Sequence, residues 1–501
     1  MLEKILVANR GEIALRVIRA CKEMGIESVA IYSEADVTSL HVRYADEAYM
    51  IGPAAAEKSY MDSDKLIEVA KESGADAIHP GYGFLAENVG FAEKCEKNNL
   101  VFVGPSSSTL RLTGDKLKCR LTMKRVGVPI LPGGEEIVES EDEAVDVAEK
   151  VGWPVLVKSA FGGGGRGIRM ASNERELRET MRPAQLEAQA AYGKTGVYIE
   201  KCIVSPRHIE LQLLCDQHGN MIHLGERECS IQRRFQKLLE MSPSPIMDGE
   251  RRAAVADMAK AAARSVEYTS AGTIEFITDG TGNFYFIEVN SRLQVEHPVT
   301  EMVTGVDLVK QQIRIASGEE ITIRQDDVEI RGAAIECRIN AEDPFNDFVP
   351  SIGTVDEYHP PGGPGIRVDT ALYRGYTVPV HYDSLVGKLV AWGSDFNEAV
   401  SRMRNALDEF VIGGIKTTIP LQKGILEDEH FVQGKISTDF VRNRRVIEKI
   451  IQKQAYEMKA NEELAVLVAA SVWGTPKPTR LLSATQGGQR TLGISRWKAA
   501  V

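Results

Sequence analysis

The 501-residue sequence has little of what marks several large classes of protein. Basic residues are in the minority, because 60 Lys and Arg stand against 71 Asp and Glu and give a net charge of −11. Nucleic-acid binding needs a basic field that displaces counterions, so we expect no nucleic-acid partner. The charged residues Glu3, Lys4 and Arg10 interrupt any apolar stretch at the start of the chain, so we expect no signal peptide. The longest late apolar run, residues 464–473, is far short of the roughly 20 residues of a membrane span, and we expect no membrane insertion.

Cysteine is also scarce and irregularly placed. The seven cysteines are odd in number, are scattered along the chain and contain no C-x-x-C pair. This pattern predicts reduced core thiols in a cytosolic protein. A dinucleotide fingerprint is missing as well, because the turn after the first predicted strand reads Asn9-Arg10-Gly11-Glu12 and lacks G-x-G-x-x-G.

Buried strands and amphipathic helices alternate in the N-terminal part. The predicted order is a strand at 4–8, a helix at Gly11–Met24, a strand at 28–32, a helix at 63–73, a strand at Ala77–His79, a helix at 88–98 and a strand at 101–103. Such alternation is typical of a doubly wound parallel sheet. The Gly-rich segment 79–84 follows a strand end, where open sheets bind ligands, although a plain tight turn explains it equally well.

A run of glycines follows the next predicted strand. That strand covers residues 153–159 and contains Lys158, and a second strand is predicted at 168–171. The glycines between them are Gly162, Gly163, Gly164, Gly165 and Gly167. Backbone N–H groups unobstructed by a Cβ can wrap a polyphosphate, so we predict a hairpin with a mobile, phosphate-clamping tip; a flexible linker is the alternative. Upstream, residues 113–126 form a predicted helix that contains Lys116.

Two further predicted strands, joined by a Gly-rich turn, bring acidic side chains together. A hairpin folded about the turn at 279–283 places Glu275 opposite Glu288, and Asn290 continues the same face. Two carboxylates at about 4 Å repel by roughly 4 kcal/mol at an effective dielectric near 20, and a hard divalent cation such as Mg²⁺ relieves this repulsion. An edge hairpin with solvated acids is the alternative. The polar groups crowded into residues 292–297 favour a site.

Two other segments are rich in polar groups. Residues 207–214 alternate polar and apolar side chains, so His208, Glu210 and Gln212 share one face of a strand. Residues 226–237 are dense in Arg, Gln and Lys, and a solvated charged face is one explanation for them. Because the chain is acidic overall, such local basic clusters indicate a small anionic ligand.

Six motifs together resemble one family. They are VANRGEIALRVIRAC (7–21), HPGYGFLAEN (79–88), GGGGRG (162–167), RECSIQRR (227–234), EVNSRLQVEHPVTE (288–301) and ECRINAEDP (336–344). They closely resemble the biotin carboxylase subunit of biotin-dependent carboxylases, of the acetyl-CoA, propionyl-CoA or two-subunit pyruvate carboxylase type. The likeness covers about residues 1–445 in order.

The resemblance implies an ATP-grasp fold of α/β and α+β class. Its expected parts are an N-terminal domain with a doubly wound parallel sheet at 1–114, a linker and small lid with the glycine loop at 115–203, and a C-terminal domain at 204–445. ATP is expected between the lid and the body. Residues 446–501 lie outside the core resemblance and are predicted to be helical and then loosely structured.

The resemblance also implies a set of site residues. The ATP residues are Lys116, Lys158, Gly162, Gly163, Gly164, Gly165, Gly167, Glu200, Lys201, Ile203, His208 and Gln232. The ligands of Mg²⁺ or Mn²⁺ are Glu275, Glu288 and Asn290, in agreement with the hairpin argument. The bicarbonate pocket is Lys237, Arg292, Gln294 and Val295, and the catalytic residues are Glu296, Arg292, Arg338 and Lys237.

The implied reaction joins bicarbonate to biotin at the expense of ATP. Glu296 is the expected general base on bicarbonate, whose oxygen attacks the γ-phosphate to give carboxyphosphate. Carboxyphosphate breaks down to CO₂ and phosphate, and phosphate removes the N1′ proton of biotin. Arg338 is expected to stabilise the enolate-like oxygen of biotin, and closure of the lid to exclude water.

Biotin is expected to arrive on another polypeptide. The chain holds no Met-Lys-Met biotin attachment site and is too short for a carboxyltransferase as well. We therefore expect the biotin carboxyl carrier protein and the carboxyltransferase subunits to be separate chains. A homodimer in the cytoplasm is also expected.

Two departures from the family pattern bear on alternative functions. Phe235 stands where the family has His near the ribose, and Phe161 stands where it has a small residue. Phe235 motivates the alternative of a nucleotide-binding regulatory subunit without catalysis. Another ATP-grasp ligase, joining an acyl phosphate to an amine, is the second alternative and shares the metal hairpin and the glycine loop. The presence of Glu296, Arg292 and Arg338 favours the biotin carboxylase function.

Overall fold

The structure, a computed structural model, describes residues 2–160, 168–192, 196–279 and 281–473. Residues 1–450 form one compact unit, and the described residues from 451 to 473 belong to a second. The predicted glycine run with Phe161, and the predicted loose tail at 474–501, lie outside the described residues.

A five-stranded parallel sheet forms the N-terminal part, as the alternating pattern predicts. Its elements are β1 (Lys4–Val7), α1 (Gly11–Met24), β2 (Glu27–Ser33), α2 (Leu40–Tyr44), β3 (Glu47–Gly52), α3 (Ser63–Glu72), β4 (Ala77–His79), α4 (Val89–Lys97) and β5 (Val101–Phe102). The strand order is β3-β2-β1-β4-β5. Ile5 and Val7 of β1 lie in one core with Val17 of α1, and Leu6 lies in another core with Phe91 of α4. Helices therefore cover both faces, as in a doubly wound sheet.

The predicted helix at 113–126 is wrong at its start, because the structure has two helices there. α5 (Ser107–Gly114) ends before α6 (Lys116–Arg125) begins, and Asp115 between them has φ −90° and ψ 93°. The Asp115 carboxylate accepts a hydrogen bond from the backbone N–H of Lys118 over 3.0 Å. Glycine is a poor helix former and Asp is a good N-cap, so this pair starts a new helix inside an apparently continuous pattern.

A small antiparallel sheet packed on helices follows. Its elements are α7 (Glu141–Val151), β6 (Val155–Ser159), β7 (Arg169–Ala171), α8 (Glu174–Tyr192) and β8 (Val197–Lys201). The strand order is β7-β6-β8. Val155, Ile199 and Leu177 of α8 share a separate core. The predicted pairing of the strands on either side of the glycine run is confirmed, because β6 and β7 are antiparallel neighbours.

The remaining described elements include an eight-stranded antiparallel sheet. Its first elements are β9 (Arg207–Cys215), β10 (Met221–Arg233), β11 (Gln236–Ser242), α9 (Gly249–Ser265), β12 (Ser270–Thr278), β13 (Phe284–Asn290), α10 (His297–Thr304), α11 (Leu308–Ala316) and β14 (Ala333–Asn340). Then come β15 (Glu342–Asp343), β16 (Val349–Pro350), β17 (Gly353–Thr354), β18 (Tyr358–His359), β19 (Ile366–Thr370), β20 (Thr377–Val378), β21 (Leu385–Gly393), α12 (Phe396–Glu409), β22 (Val411–Ile412), α13 (Ile419–Glu427), α14 (Glu429–Val432), α15 (Phe440–Asn443) and α16 (Val446–Trp473). The order in the large sheet is β13-β12-β9-β10-β11-β14-β21-β19.

The two faces of the large sheet have different roles. Ile209 and Leu211 of β9 lie in a core with Ala259 of α9. The intervening polar residues of β9 therefore project from the opposite face, as the alternation predicts. Residues 226–232 of β10 are all buried, so the alternative of a solvated charged face is wrong for them.

The last described element is the long helix α16. Within the second unit, its residues 451–465 are all exposed. Over the described ranges, no helix combines the length and the apolar character that crossing a bilayer requires.

Candidate active site

The hairpin of β12 and β13 has the register that the sequence predicts. Glu275 and Glu288 lie directly opposite each other. Asn290 Nδ2 donates to Glu275 Oε1 over 2.9 Å. The turn is fastened by the Asp279 carboxylate, which accepts a hydrogen bond from the backbone N–H of Thr281 over 2.9 Å. Two carboxylates and an amide therefore meet at one end of the hairpin.

Lys237, at the start of β11, is the cation around which further carboxylates gather. Its Nζ donates to Glu210 Oε2 (2.6 Å), Glu275 Oε1 (3.0 Å) and Glu296 Oε1 (2.5 Å). Glu210 of β9 and Glu275 of β12 are directly opposed in neighbouring strands, and like charges in that arrangement destabilise a sheet. The Lys237 ammonium neutralises this repulsion.

The charges of this cluster set one another's ionisation. Burial alone would lower the pKa of Lys237, but the surrounding carboxylates raise it well above its ordinary value. Burial alone would raise the pKa of Glu296, but Lys237 and then Arg338 hold it below its ordinary value. The pKa of Glu275 is likewise lowered against the effect of burial, by Lys237 and then His208. At neutral pH, Glu275 and Glu296 are therefore ionised and Lys237 is protonated.

Arg338 of β14 reaches Glu296 from the other side. Its Nη2 donates to Glu296 Oε2 (3.0 Å), and its Nε donates to Glu240 Oε1 (2.6 Å) of β11. Burial raises the pKa of Glu240 to about 7, although Arg338 acts in the opposite direction. Arg338 is thus fixed between two carboxylates, one of which titrates near neutral pH.

A buried carboxyl group lies beside this pair. Glu336 is opposite Glu240 across β11 and β14 and is fully buried. In the part of the chain that the structure describes, neither Glu336 oxygen has a hydrogen-bond partner. Burial raises the pKa of the Glu336 carboxyl group well above its ordinary value.

A fully buried arginine supports the cluster from within the sheet. Arg227 of β10 donates through Nη1 to Gln212 (2.7 Å) and Thr300 (3.0 Å), and through Nη2 to Thr273 (3.0 Å). Its Nε contacts Glu210. These partners lie on β9, β12 and α10, so Arg227 fixes Glu210 and joins the helix after the site to the sheet.

Arg292 ties the site to the N-terminal part of the chain. Its Nε donates to Glu87 Oε2 over 2.9 Å, and its Nη2 donates to Asn290 Oδ1 over 3.2 Å. The backbone N–H of Ser291 donates to the other oxygen of Glu87 over 3.1 Å. Glu87 therefore fixes the chain where β13 ends.

The next residues of the predicted bicarbonate pocket are held by the large sheet. Gln294 Nε2 donates to Glu275 Oε1 over 3.1 Å. The Val295 carbonyl accepts a hydrogen bond from Lys388 Nζ of β21 over 3.1 Å. The structure therefore brings Gln294, Val295 and Glu296 to one place beside Lys237.

The hairpin offers a ligand set that suits Mg²⁺ or Mn²⁺. Glu275, Glu288 and Asn290 supply carboxylate and amide oxygens, which are the ligands that these cations prefer. Lys116 Nζ lies 2.8 Å from Glu288 Oε2, so a cation is already placed at this carboxylate. Burial alone would lower the pKa of Lys116, but Glu288 reverses the effect and raises it. The residues present fit a divalent metal.

Two cations meet the Glu200 carboxylate of β8. Lys158 of β6 contacts Glu200 Oε2, and Arg120 Nε lies 3.2 Å from Glu200 Oε1. The Lys201 ammonium instead donates to the carbonyls of residues 152 and 153, over 2.9 Å and 2.7 Å. The structure thus brings Lys158 and Glu200 together. The Lys201 side chain instead binds the main chain just before β6.

The remaining predicted ATP residues are only partly grouped. Gln232 Nε2 lies 2.9 Å from His208 Nδ1, and His208 Nε2 lies 3.1 Å from Glu275 Oε2. Ile203 is half-buried just after β8. Phe235 is 43% exposed in the turn between β10 and β11, where its φ is 63°. The predicted phosphate loop lies outside the described residues: Gly162, Gly163, Gly164, Gly165 and Gly167.

Several residues of the site were not selected from the sequence. Glu210 shares a strand face with His208, so the alternation of β9 already contained a signal for it. Arg227 and Glu87 lie in segments that the sequence singles out, but the partners of Arg227, Glu240 and Glu87 depend on strand order and on packing between parts of the chain. A single sequence does not reveal these pairings.

Three known families match consecutive parts of the chain. Residues 1–110 match the biotin carboxylase N-terminal domain. Residues 115–324 match the ATP-binding domain of the carbamoyl-phosphate synthase L chain. Residues 336–443 match the biotin carboxylase C-terminal domain.

Curated proteins resemble the chain over nearly all of the first unit. Biotin carboxylase 1 of Bacillus subtilis is 55% identical over 448 residues, which are 89% of this chain and 100% of the relative. The small subunit of 2-oxoglutarate carboxylase from Hydrogenobacter thermophilus is 52% identical over 441 residues, which are 88% of this chain and 93% of the relative.

Solved structures agree with these relatives. The biotin carboxylase domain dimer of Hydrogenobacter thermophilus 2-oxoglutarate carboxylase, in complex with MgADP, ADP and bicarbonate, is 51% identical with a TM-score of 0.87, over 89% of this chain and 98% of that one. Biotin carboxylase of Campylobacter jejuni, in its β-γ-ATP complex, is 44% identical with a TM-score of 0.86, over 88% of this chain and 99% of that one. The chain therefore belongs to the biotin carboxylase family of ATP-grasp ligases.

Proposed function

We propose that this chain carboxylates biotin held on a separate carrier protein, using ATP and bicarbonate. The observation that carries the proposal is the position of Glu296, whose two carboxylate oxygens are held by Lys237 (2.5 Å) and Arg338 (3.0 Å) in the interior. A base with a fixed cation on each side suits a reaction in which both bicarbonate and the ureido group of biotin develop negative charge. The relatives named biotin carboxylase support the same conclusion.

In the first step, Glu296 accepts the proton of bicarbonate. Bicarbonate would bind among Lys237, Arg292, Gln294 and the Val295 main chain. Because it is an anion, it competes with Glu296 for Lys237, and this competition restores basicity to Glu296. The deprotonated oxygen attacks the γ-phosphorus of ATP, the bond from phosphorus to the bridging oxygen of ADP breaks, and carboxyphosphate and ADP form.

In the second step, the carbon–oxygen bond of carboxyphosphate breaks to give CO₂ and phosphate. Phosphate takes the N1′ proton of biotin, and the nitrogen forms a bond to CO₂. Arg338 stabilises the ureido oxygen while that oxygen gains negative charge. Glu240, 2.6 Å from Arg338 Nε, keeps the guanidinium in place so that little reorganisation is needed.

ATP would lie between the small-sheet lid and the body of the molecule. The phosphates would contact Lys116, Lys158 and the glycine run, and the adenosine would contact Glu200, Lys201, Ile203, His208 and Gln232. Glu275, Glu288 and Asn290 would hold Mg²⁺ or Mn²⁺. When bound, this metal neutralises charge on the phosphoryl oxygens.

We also propose the organisation and the partners that the family resemblance implies. The domain limits are 1–114, 115–203, 204–445 and 446–501. The biotin carboxyl carrier protein and the carboxyltransferase would be other chains, and two copies of this chain would form a dimer. The Hydrogenobacter dimer and the relatives named as subunits support this part of the proposal. A cytoplasmic location is supported by the seven cysteines, which are all buried and form no disulfide.

The proposal is tested by ADP release from the purified protein. With Mg²⁺, ATP and bicarbonate, free biotin should stimulate ADP release. Glu296→Gln should reduce biotin-dependent release by about 10²–10⁴-fold, the usual contribution of a general base, and should retain nucleotide binding. The matched control is Glu329→Gln. It removes an exposed carboxylate whose one ion-pair partner in the described chain is the exposed Arg331.

The same assay separates the two alternative functions. A carboxylate–amine ligase needs its own carboxylate and amine, so biotin and bicarbonate would not stimulate its ADP release. A regulatory subunit would bind ATP and release no ADP, even with a biotinylated carrier present. Either result, or an unchanged rate in Glu296→Gln, would contradict the proposed function.

A further inference from the structure

A second buried cation lies beside the site on the large sheet. Lys388 of β21 is fully buried and pairs directly with Arg338 of β14. Directly opposed residues of antiparallel strands project from the same face, so the two cations stand side by side next to the site. A buried ammonium is very unfavourable without polar partners, so its contacts indicate its role.

Three polar groups and one aromatic ring surround the Lys388 ammonium. The ring is that of Tyr82, whose centroid lies 5.7 Å from Nζ. Nζ donates to the Val295 carbonyl oxygen over 3.1 Å, lies 3.2 Å from Glu12 Oε2 and lies 4.0 Å from Asp369 Oδ2. Val295 belongs to the proposed bicarbonate pocket, Glu12 belongs to α1 and Asp369 belongs to β19. Lys388 therefore connects the pocket both to the N-terminal part and to the large sheet.

The Val295 carbonyl needs an anchor because its chain segment has no regular structure. Residues 291–296 form an irregular connection between β13 and α10. The peptide unit from Val295 to Glu296 is planar, so a shift of the Val295 carbonyl moves the Glu296 backbone with it. Fixing this carbonyl therefore also fixes the proposed base.

An ion-pair network holds the helix that follows this segment. Arg367 binds both oxygens of Asp369, over 3.0 Å and 2.7 Å, and its Nη1 donates to Glu301 Oε2 over 2.7 Å. Glu301 lies on α10, and its other oxygen accepts from Arg16 Nη2 of α1 over 2.9 Å. The anchored carbonyl thus stands next to a helix that is itself fixed to both neighbouring parts of the chain.

We infer that Lys388 is a positioning residue for bicarbonate: it fixes the Val295 carbonyl and thereby sets the pocket main chain and Glu296. The inference rests on the proposed function, because Val295 and Glu296 have their roles only there. The contacts of Lys388 with Val295, Glu12, Asp369 and Tyr82 include no residue proposed to bind ATP. Its removal should therefore weaken the use of bicarbonate and leave ATP binding unchanged.

The test compares two variants, because Lys388→Met alone would remove the cation that lies 3.2 Å from the buried Glu12 carboxyl group. Glu12→Gln keeps the bond from Lys388 to Val295. The double variant Glu12→Gln/Lys388→Met removes both charges of the pair together and, in addition, that bond. The readouts are the KM for bicarbonate and the KM for ATP in biotin-stimulated ADP release, together with the melting temperature.

The double variant should have a KM for bicarbonate about tenfold above that of Glu12→Gln, as expected for one lost orienting hydrogen bond, and a KM for ATP within about twofold. An unchanged KM for bicarbonate would overturn the inference, as would an equal rise in both KM values. A double variant that melts far below Glu12→Gln would show a purely structural role and would overturn it too. Absence of biotin-dependent ADP release in the unmodified protein would instead contradict the proposed function, and with it the inference.

Discussion

At the scale of single residues, charge balance explains how a buried site can contain so many carboxylates. Glu210, Glu275 and Glu296 all contact Lys237. Arg227 also contacts Glu210, and Arg338 also contacts Glu296, so three cations accompany three anions. Because these cations are already in the interior, anionic substrates can bind them without bringing new countercharges into the protein.

Lys237→Met should reduce biotin-dependent ADP release at least about hundredfold, because it removes the cation that faces both bicarbonate and Glu296. Steady-state rates at saturating ATP measure this effect. The control is Lys416→Met, a lysine that is 70% exposed and paired with Asp343, which should change the rate less than about twofold. A Lys237→Met variant with the parental rate would contradict the assignment.

Glu240 should make the biotin step sensitive to pH near neutrality. Burial raises its pKa to about 7, so the carboxylate that holds Arg338 gains a proton as the pH falls from about 8 to about 6. A neutral acid is a weaker partner for a guanidinium, so biotin-dependent turnover should fall with the pH. Glu240→Gln cannot titrate and should be slower but less dependent on pH over this range. Profiles at a fixed bicarbonate concentration compare the two proteins, and parallel curves would exclude Glu240 as the titrating group.

At the scale of elements, pairing between strands that are close in sequence could be predicted, whereas pairing between distant strands could not. The β12–β13 hairpin was predictable because its turn and its alternation lie within one short stretch, and the pairing of Glu275 with Glu288 is confirmed. The start of α6 was missed because Asp115 caps a new helix within a continuous helical pattern. The pairing of Glu240 with Glu336 was out of reach, because periodicity carries no information about which distant strand becomes the neighbour.

Arg227 joins β9, β10, β12 and α10, so its loss should destabilise the whole large sheet. Arg227→Met should lower the free energy of unfolding by about 3–5 kcal/mol, because it leaves the buried Glu210 without one of its cations. Denaturant unfolding measures this change. Arg331→Met is the control: this arginine is 77% exposed and pairs with Glu329, so its loss should cost at most about 1 kcal/mol. Equal losses in the two variants would contradict the role given to Arg227.

At the scale of the whole molecule, the site forms only where three parts of the chain meet. Glu87 follows β4 of the N-terminal sheet and binds Arg292. Lys116 begins α6 and binds Glu288. The large sheet and the segment after β13 supply Lys237 and Glu296, and the small sheet supplies Lys158 and Glu200. The fold class could be predicted because the six motifs occur in family order over residues 1–445, whereas the order of the eight strands depends on contacts between distant segments.

A chain ending after residue 450 should keep its activity with free biotin. The compact unit of residues 1–450 contains all the residues of the proposed site, and the Bacillus subtilis relative is matched over its whole length by 448 residues of this chain. Rates within about twofold of the full chain are expected, as is usual when a segment outside the packed unit is removed. Loss of ADP release in the shortened protein would show that residues 451–501 belong to the catalytic unit.

The central claim is that an oxygen of bicarbonate attacks the γ-phosphorus of ATP. The most direct measurement follows heavy oxygen from fully labelled bicarbonate, in ordinary water, into the phosphate released during biotin carboxylation. One heavy oxygen should appear in each phosphate, because the attacking oxygen stays on phosphorus when the carbon–oxygen bond of carboxyphosphate breaks. Phosphate that carries no label would mean that water attacks ATP directly, and would contradict the roles proposed for Glu296 and the pocket around it.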